Sequence, residues 1–361
     1  METVALDSKF WRGKKVLLTG HTGFKGSWLS LWLEKLGAHV TGYALPPPTR
    51  PSLFELAQID AGLQSVIGDI RDLPKLKEAM QTGVPEIILH LAAQSLVHES
   101  YASPVETFAT NVMGTVNVLE AARACASVRA IVIVTSDKCY QNRERQRPYR
   151  EVDPMGGHDP YSASKGAAEL ATAAYRSSFF SAKAGGARSA VATARAGNVI
   201  GGGDWAADRL IPDIVRAARR GEAALIRHPR AIRPWQHVLE PLYGYMLLAE
   251  KLYQAGDHYA AAWNFGPSEQ ECRSVEWLAT RFLEIWDEGP AWEQSDAGRL
   301  HEAGILKLDS SKAHELLGWH PRLKIEDAID WTATWYKQWT KSANMRAVTL
   351  SQIERFERIE A

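Results

Sequence analysis

Short apolar runs that end in glycine or a polar residue, each followed by a stretch with apolar side chains at helical spacing, recur through the first half of the chain. Residues 15–19 form the first run, and residues 27–36 then repeat Trp and Leu at the period of a helix, which predicts strand, tight turn and helix. The alternation continues through residues 40–43, 86–91, 112–124, 130–134 and 163–180. The predicted strands are apolar at consecutive positions and offer no face to water. They belong in a parallel sheet covered by helices on both sides.

Beyond about residue 195 the rhythm gives way to Gly201-Gly202-Gly203, clusters of arginine and proline, and a tryptophan-rich helical tail. The expected fold class is α/β: a Rossmann-like doubly wound parallel sheet with a smaller, mostly helical C-terminal lobe. Residues 1–195 are read as the dinucleotide-binding domain, to which the chain returns around 235–265, and residues 196–361 as a substrate-binding lobe interleaved with it. The arginine-rich stretch 141–160 reads as a long surface loop between reactive segments, of the kind that often forms a lid.

Composition narrows the classes of partner. Lysine plus arginine and aspartate plus glutamate number 42 each, so no overall field draws the chain to nucleic acid or an anionic membrane. Cys125, Cys139 and Cys272 are too scattered for a disulfide framework or a zinc site, and the histidines lack ligand spacing, so no metal is expected. Residues 1–12 lack the pattern of a signal peptide, and no apolar run reaches the roughly 20 residues of a membrane span. A soluble protein of the reducing cytoplasm is expected.

Candidate chemistry begins where the first strand ends. Gly20, Gly23 and Gly26 sit between strand and helix, where backbone N–H groups at the positive helix end can approach a pyrophosphate, although a plain tight turn would use the same glycines. The second strand ends Thr41-Gly42-Tyr43-Ala44, without the Asp or Glu that usually meets the adenosine ribose of NAD. Lys25 is a candidate phosphate partner, so the residues alone leave NAD and NADP open. Asp69 in Gly68-Asp69-Ile70-Arg71 is placed to meet an adenine amino group, and the small residues of Leu91-Ala92-Ala93-Gln94 let backbone lie close to a dinucleotide.

Tyr161 and Lys165 fall four residues apart on one helix face, where the ammonium can favour the phenolate and pull the tyrosine below its ordinary pKa of about 10. Ser136 stands at the carboxyl end of a core strand, and ligands of such sheets bind beyond the strand ends, so its hydroxyl can share a substrate oxygen with Tyr161. Asp137 and Lys138 follow at once. They add an acid and an amine that plain hydride transfer does not need.

The strings Leu18-Thr19-Gly20-His21-Thr22-Gly23-Phe24-Lys25-Gly26, Thr135-Ser136-Asp137-Lys138-Cys139-Tyr140, Met155-Gly156-Gly157-His158-Asp159-Pro160-Tyr161, Gly197-Asn198-Val199-Ile200-Gly201-Gly202-Gly203-Asp204-Trp205 and Arg233-Pro234-Trp235-Gln236-His237-Val238 resemble the extended short-chain dehydrogenase/reductase superfamily. Within it they are similar to the nucleotide-sugar 4,6-dehydratases, in the branch acting on CDP-glucose. The resemblance implies NAD as cofactor, held by Gly20, Thr22, Gly23, Phe24, Lys25, Gly26, Asp69, Ile70, Leu91, Ala92, Ala93, Thr110, Thr135, Tyr161 and Lys165. It implies catalysis by Ser136, Asp137, Lys138, Tyr161 and Lys165, with Tyr161 as base at the C4 hydroxyl and Asp137 as acid at the C6 hydroxyl.

Dehydratases for dTDP-glucose and GDP-mannose have Glu at the place of Lys138 and use it on the C5 proton. Lys138 can be that base only if partly neutral; charged, it would stabilise an enolate and lower the pKa of Asp137. The implied substrate is CDP-D-glucose, met by Gln94, Ser95, Asn198, Arg209, Leu210, Arg233, Asn264, Arg299, His301 and Glu302, with Arg233 the first choice for the pyrophosphate. A homodimer, or a dimer of dimers, through helices 105–124 and 163–180 is implied as well. The alternatives are an epimerase or reductase of the same superfamily, a noncatalytic dinucleotide sensor, and a sugar-nucleotide scaffold without turnover.

Overall fold

The computed structural model describes residues 5–181, 189–287, 289–295 and 304–359. Strands β1 (Lys15–Thr19), β2 (His39–Ala44), β3 (Gln64–Ile67), β4 (Ile87–His90), β5 (Ala130–Val134), β6 (Ala190–Arg195) and β7 (Ala262–Asn264) form one sheet in the order β3-β2-β1-β4-β5-β6-β7. Every neighbouring pair is parallel. The order reverses direction at β1 and β4, and that switch point opens a crevice at the carboxyl ends of the strands.

Because side chains alternate across a strand, each strand feeds two cores. Val16, Leu18, Ile87, Leu89 and Val132 pack on the side of α1 (Phe24–Lys35), while Leu17, Ile88, Ile131 and Ile133 pack on the side of α2 (Leu73–Gly83), α3 (Gly114–Arg123) and α4 (Pro160–Phe179). The first core runs on without a break into the C-terminal half, through α5 (Leu210–Arg219), α6 (Leu239–Ala255), α7 (Val275–Trp286), α8 (Ile325–Thr340) and α9 (Met345–Glu357). Strand β7 adds to the sheet itself, helix α6 packs against β5 and β6, and the indole of Trp28 donates to the carbonyl of Gly202 at 2.9 Å. The two halves of the chain thus share one interior.

Three local features set the site. Asp159 caps α4, accepting from the Ser162 N–H at 2.9 Å with Pro160 in the first turn, so the helix starts before residue 163 and Tyr161 stands at its mouth. The expected helix over 105–124 is broken into Pro104–Phe108, a π-turn at Ala109–Met113, and α3. That wider turn holds Asn111 beside Gln94 and Ser164, at 2.9 Å from each. The stretch 141–160 is a loop up to the start of α4, as expected, and it is anchored near its middle. Tyr140 and Tyr149 stack with centroids 5.2 Å apart and form a small separate core with Cys139, Leu306 and Leu308.

Candidate active site

A cavity of about 690 Å³ lies beyond the carboxyl ends of the strands. Its walls include the loop after β1, the exit of β4, residues 134–136 and 138 after β5, Tyr161 and Lys165 of α4, and residues 196–214 of the second half. Gly20 has a left-handed φ of +78°, and a Cβ there would lie 2.8 Å from the backbone nitrogen of Ala92, so only glycine lets the β1 and β4 exits approach. No side chain caps the N-terminus of α1, which leaves its backbone donors for a ligand. This uncapped helix start inside a long cleft fits the pyrophosphate of a dinucleotide.

The residues expected around a cofactor come together: Gly20, Thr22, Gly23, Phe24, Lys25, Gly26, Asp69, Ile70, Leu91, Ala92, Ala93, Thr110, Thr135, Tyr161 and Lys165 all line the cavity. Asp69 is gripped by Arg71, whose Nε lies 2.9 Å from Oδ2, and that hydrogen bond lowers its pKa. At the second strand, Gly42 makes room for the ring of His21, which hydrogen-bonds Ser65 at 2.8 Å. Burial lowers the pKa of His21 to about 4, so the ring is neutral there.

Lys25 lines the cavity beside other charged groups. Its ammonium lies 5.9 Å from the Tyr245 ring centroid, and the charges acting on it are those of Arg209, Lys165, Asp137 and Asp204. Burial first, then the two cations, lower its pKa to about 7.

Beyond β5 the chain makes a short 3-10 turn, Asp137–Cys139, opened by Ser136. The Ser136 hydroxyl accepts from the Lys138 N–H at 3.2 Å and donates to Asp137 Oδ1 at 3.0 Å. Asp137 is 1% exposed and lies behind Ser136 and Gly197; a Cβ on Gly197 would come 1.9 Å from Oδ2, which has no hydrogen-bond partner. Burial raises its pKa, and the opposing pull of Lys138, Ser136, Arg233 and Lys25 does not cancel that rise. The adjacent lysine therefore does not reverse that rise.

Tyr161 corrects the sequence reading. Burial pushes its pKa up to about 12; a hydrogen bond with Ser136 and the charge of Arg209 oppose this, while Asp137 and Asp159 add to it. The charge of Lys165 is not among the causes that act on the phenol. Its ammonium donates to the carbonyl of Val134 at 3.4 Å, and burial lowers its pKa to about 8. Behind α4, Glu169 accepts two hydrogen bonds from Arg195, 2.9 and 2.7 Å long, and one each from Thr135 and Thr193, which fixes the helix to β6 and to the β5 exit.

Of the residues expected to hold substrate, Ser95, Asn198, Arg209, Leu210 and Arg233 line the cavity. Arg209 is aimed by Asp204 at 2.8 Å and Ser95 at 2.7 Å, and the buried Oδ1 of Asn198 has no hydrogen-bond partner. Two expectations change. Gln94 reaches the cavity wall, but its amide is used on Leu96 and Thr107, so it shapes its own loop. Asn264 is fully buried away from the cavity: it accepts from Tyr140 at 2.7 Å and donates to the carbonyls of Tyr149 and Asp309. Arg299, His301 and Glu302 lie outside the described residues. Tyr245, whose buried hydroxyl has no partner, stands beside Lys25 and was not signalled by the sequence, since it sits among the apolar residues 241–249 of α6. Asp204 was visible inside the glycine string but carried no role there. Among the described residues no cluster of His, Cys, Asp and Glu could hold a metal ion, and no helix is long and apolar enough to cross a membrane.

Comparison with known proteins follows this geometry. The family profile described as GDP-mannose 4,6 dehydratase matches residues 17–332. The CDP-glucose 4,6-dehydratase of Salmonella typhimurium is 50% identical over 341 residues, covering 94% of this chain and 95% of its own. The dTDP-glucose 4,6-dehydratase of Haemophilus influenzae is 25% identical over 286 residues, covering 74% and 81%. Among solved structures, MoeE5 in complex with UDP-glucose and NAD superposes with a TM-score of 0.76 at 25% identity, covering 90% of this chain and 99% of its own. The dTDP-glucose 4,6-dehydratase of Bacillus anthracis in complex with NAD shares the fold, with a TM-score of 0.74 at 18% identity, covering 92% of this chain and all of its own.

Proposed function

The chain belongs to the GDP-mannose 4,6 dehydratase family, and from that membership and the cavity we propose that it is an NAD-dependent lyase converting CDP-D-glucose to CDP-4-keto-6-deoxy-D-glucose and water. The observation that carries the reading is Asp137: a buried carboxyl with a raised pKa and a partnerless oxygen, one residue from the hydroxyl that serves Tyr161. A carboxyl with a raised pKa beside a Tyr and Lys pair suits an elimination coupled to oxidation.

Bound NAD supplies the acceptor for the C4 hydride, later the donor to C6, and a positive charge that favours the Tyr161 phenolate. Its pyrophosphate suits the start of α1 and the glycine loop. Tyr161 takes the proton of the C4 hydroxyl, and the resulting ketone acidifies C5. Lys138 handles the C5 proton, and Asp137 delivers a proton to the C6 oxygen as it leaves. Arg209, Arg233 and Asn198 meet the diphosphate end. The cytidine assignment is supported by the relative that shares half its residues with this chain.

The reading extends to assembly and location. Val105, Met113 and Leu170 stand exposed on the helices around α3 and α4, which supports a homodimer through that face. Three free cysteines support a reducing, cytoplasmic setting.

The test is turnover of CDP-glucose in heavy water, followed by NMR. Deuterium at C5 with the original C4 hydrogen found at C6 supports the reaction. An epimerase of the same superfamily would return CDP-hexose that keeps its C6 hydroxyl.

A further inference from the structure

Two side-chain anchors hold the short turn that carries Asp137 and Lys138, and both end on one guanidinium. At the near end Thr135 donates its hydroxyl to Glu169 of α4, and Arg195 donates to the same carboxylate through Nε at 2.9 Å and Nη2 at 2.7 Å. At the far end Nη1 of Arg195 donates to the Tyr140 hydroxyl at 2.7 Å. The turn itself, Asp137–Cys139, spans the gap between them.

The direction of the far bond is fixed by what lies beyond it. Asn264 gives its amide hydrogens to the carbonyls of Tyr149 and Asp309, 2.9 and 3.0 Å away, so its Oδ1 faces Tyr140 as an acceptor. Tyr140 donates its single proton to that oxygen at 2.7 Å, and its lone pairs are left for Arg195. A planar fork can serve Glu169 and Tyr140 together, whereas a lysine ammonium is a single point charge.

The two anchors serve different residues. Glu169 lies on the helix of Tyr161 and Lys165, so its bonds set that helix against the exit of β5. Among the described residues the Tyr140 hydroxyl bonds only Arg195 and Asn264, neither of them on α4. Without that hydroxyl, the bonds of Glu169 to Thr135, Thr193 and Arg195 would all remain. The ring would keep its stack on Tyr149 at 5.2 Å, and the Gly156 N–H would still reach the Cys139 carbonyl at 2.9 Å. The turn would stay folded and lose one fixed point.

We propose that Arg195, acting through the Tyr140 hydroxyl, is a positioning residue for the elimination half of the reaction: it fixes the end of the turn that sets Asp137 and Lys138. Oxidation at C4 depends instead on the Glu169 side of the same guanidinium, which sets Tyr161 and Lys165. This division rests on the dehydratase reading. A shift of the turn by about 1 Å is enough to slow a step by about a hundredfold.

The test is a single turnover of the holoenzyme with CDP-glucose, in which nicotinamide absorbance rises as C4 is oxidised and falls as hydride returns to C6 after water is lost. Tyr140→Phe should keep the rise within about twofold of wild type and slow the fall by about ten- to a hundredfold, so that reduced cofactor accumulates. Thr135→Val, which loosens the near anchor, should slow the rise. A role in stability alone would lower the Tm of Tyr140→Phe and leave both phases unchanged or slow them alike, and either result overturns the proposal. A Thr135→Val rise as fast as wild type overturns it too. If Tyr140→Phe fails to fold, Arg195→Lys, which keeps a cation for Glu169 but cannot serve both anchors, carries the same expectation and the same overturning results. Wild-type enzyme that gives no nicotinamide signal with CDP-glucose overturns the dehydratase reading, and the assignment of steps with it.

Discussion

The ammonium of Lys25 lies 5.9 Å from the ring centroid of Tyr245, so the first turn of α1 meets α6 through one side chain. A lysine in a phosphate loop would ordinarily hold phosphate, whereas this one faces Asp137, Asp204, Arg209 and Lys165. Lys25→Met should therefore lower kcat by about ten- to a hundredfold, while NAD dissociation changes by less than about threefold. Cofactor titration by fluorescence alongside steady-state rates separates the two. A large loss of NAD affinity with kcat intact would return Lys25 to the phosphate.

The division of labour between Lys138 and Asp137 is separable by isotope exchange. Lys138→Ala should abolish C5 exchange with heavy water in the 4-keto sugar. Asp137→Asn should permit C4 oxidation and C5 exchange but slow water loss by about a thousandfold. If Lys138→Ala keeps C5 exchange, another group is the base.

Glu169 and Arg195 pair at 2.7 Å with side chains about 5% exposed. Removing one partner leaves a buried charge, so Glu169→Leu should cost about 3–5 kcal/mol, read from denaturant unfolding. The double variant Glu169→Leu/Arg195→Met should recover part of that loss. Because Glu169 also anchors Thr135 and Thr193 to the helix of Tyr161, the stable double variant should still show reduced kcat.

Glu240 and Glu250 give a pH-dependent stability. Burial raises both carboxyls from an ordinary 4.5 to about 7, although backbone N–H groups of Leu323 and Arg322 hold Glu240 and the Trp11 indole holds Glu250. The folded chain keeps protons that the unfolded chain releases above pH 4.5. Their contribution is thus present below about 4.5, declines as pH rises to about 7, and is level beyond. Glu240→Gln should gain stability over wild type across that window by about 2–3 kcal/mol, seen as a flatter Tm against pH.

Asn264 should behave as a structural residue. It joins Tyr140, Tyr149 and Asp309 through its side chain, and its backbone N–H donates to Glu151 at 2.9 Å. Asn264→Ala should destabilise by about 2–4 kcal/mol while KM for CDP-glucose stays within about twofold. A selective rise in KM would restore it to the substrate site.

The amino-acid sequence by itself determined the alternation of strand and helix, because apolar periodicity reflects burial directly: runs such as 130–134 can lie only inside a covered sheet. It also determined the glycines at 20, 23 and 26 and the grouping of Ser136, Asp137, Tyr161 and Lys165, since these lie close along the chain and are positioned by their own strand end or helix start. What it left undecided was where each charge ends up. The i+4 spacing suggested that Lys165 would acidify Tyr161, but spacing carries no information about burial, and desolvation raises the phenol to about 12. Asn264 was misread because its partner Tyr140 is more than a hundred residues away in sequence, and the contact of Lys25 with Tyr245 was hidden for the same reason. Only the tertiary structure brings α6 and the stretch after Tyr140 to these residues, and with them the burial that raises the pKa of Asp137.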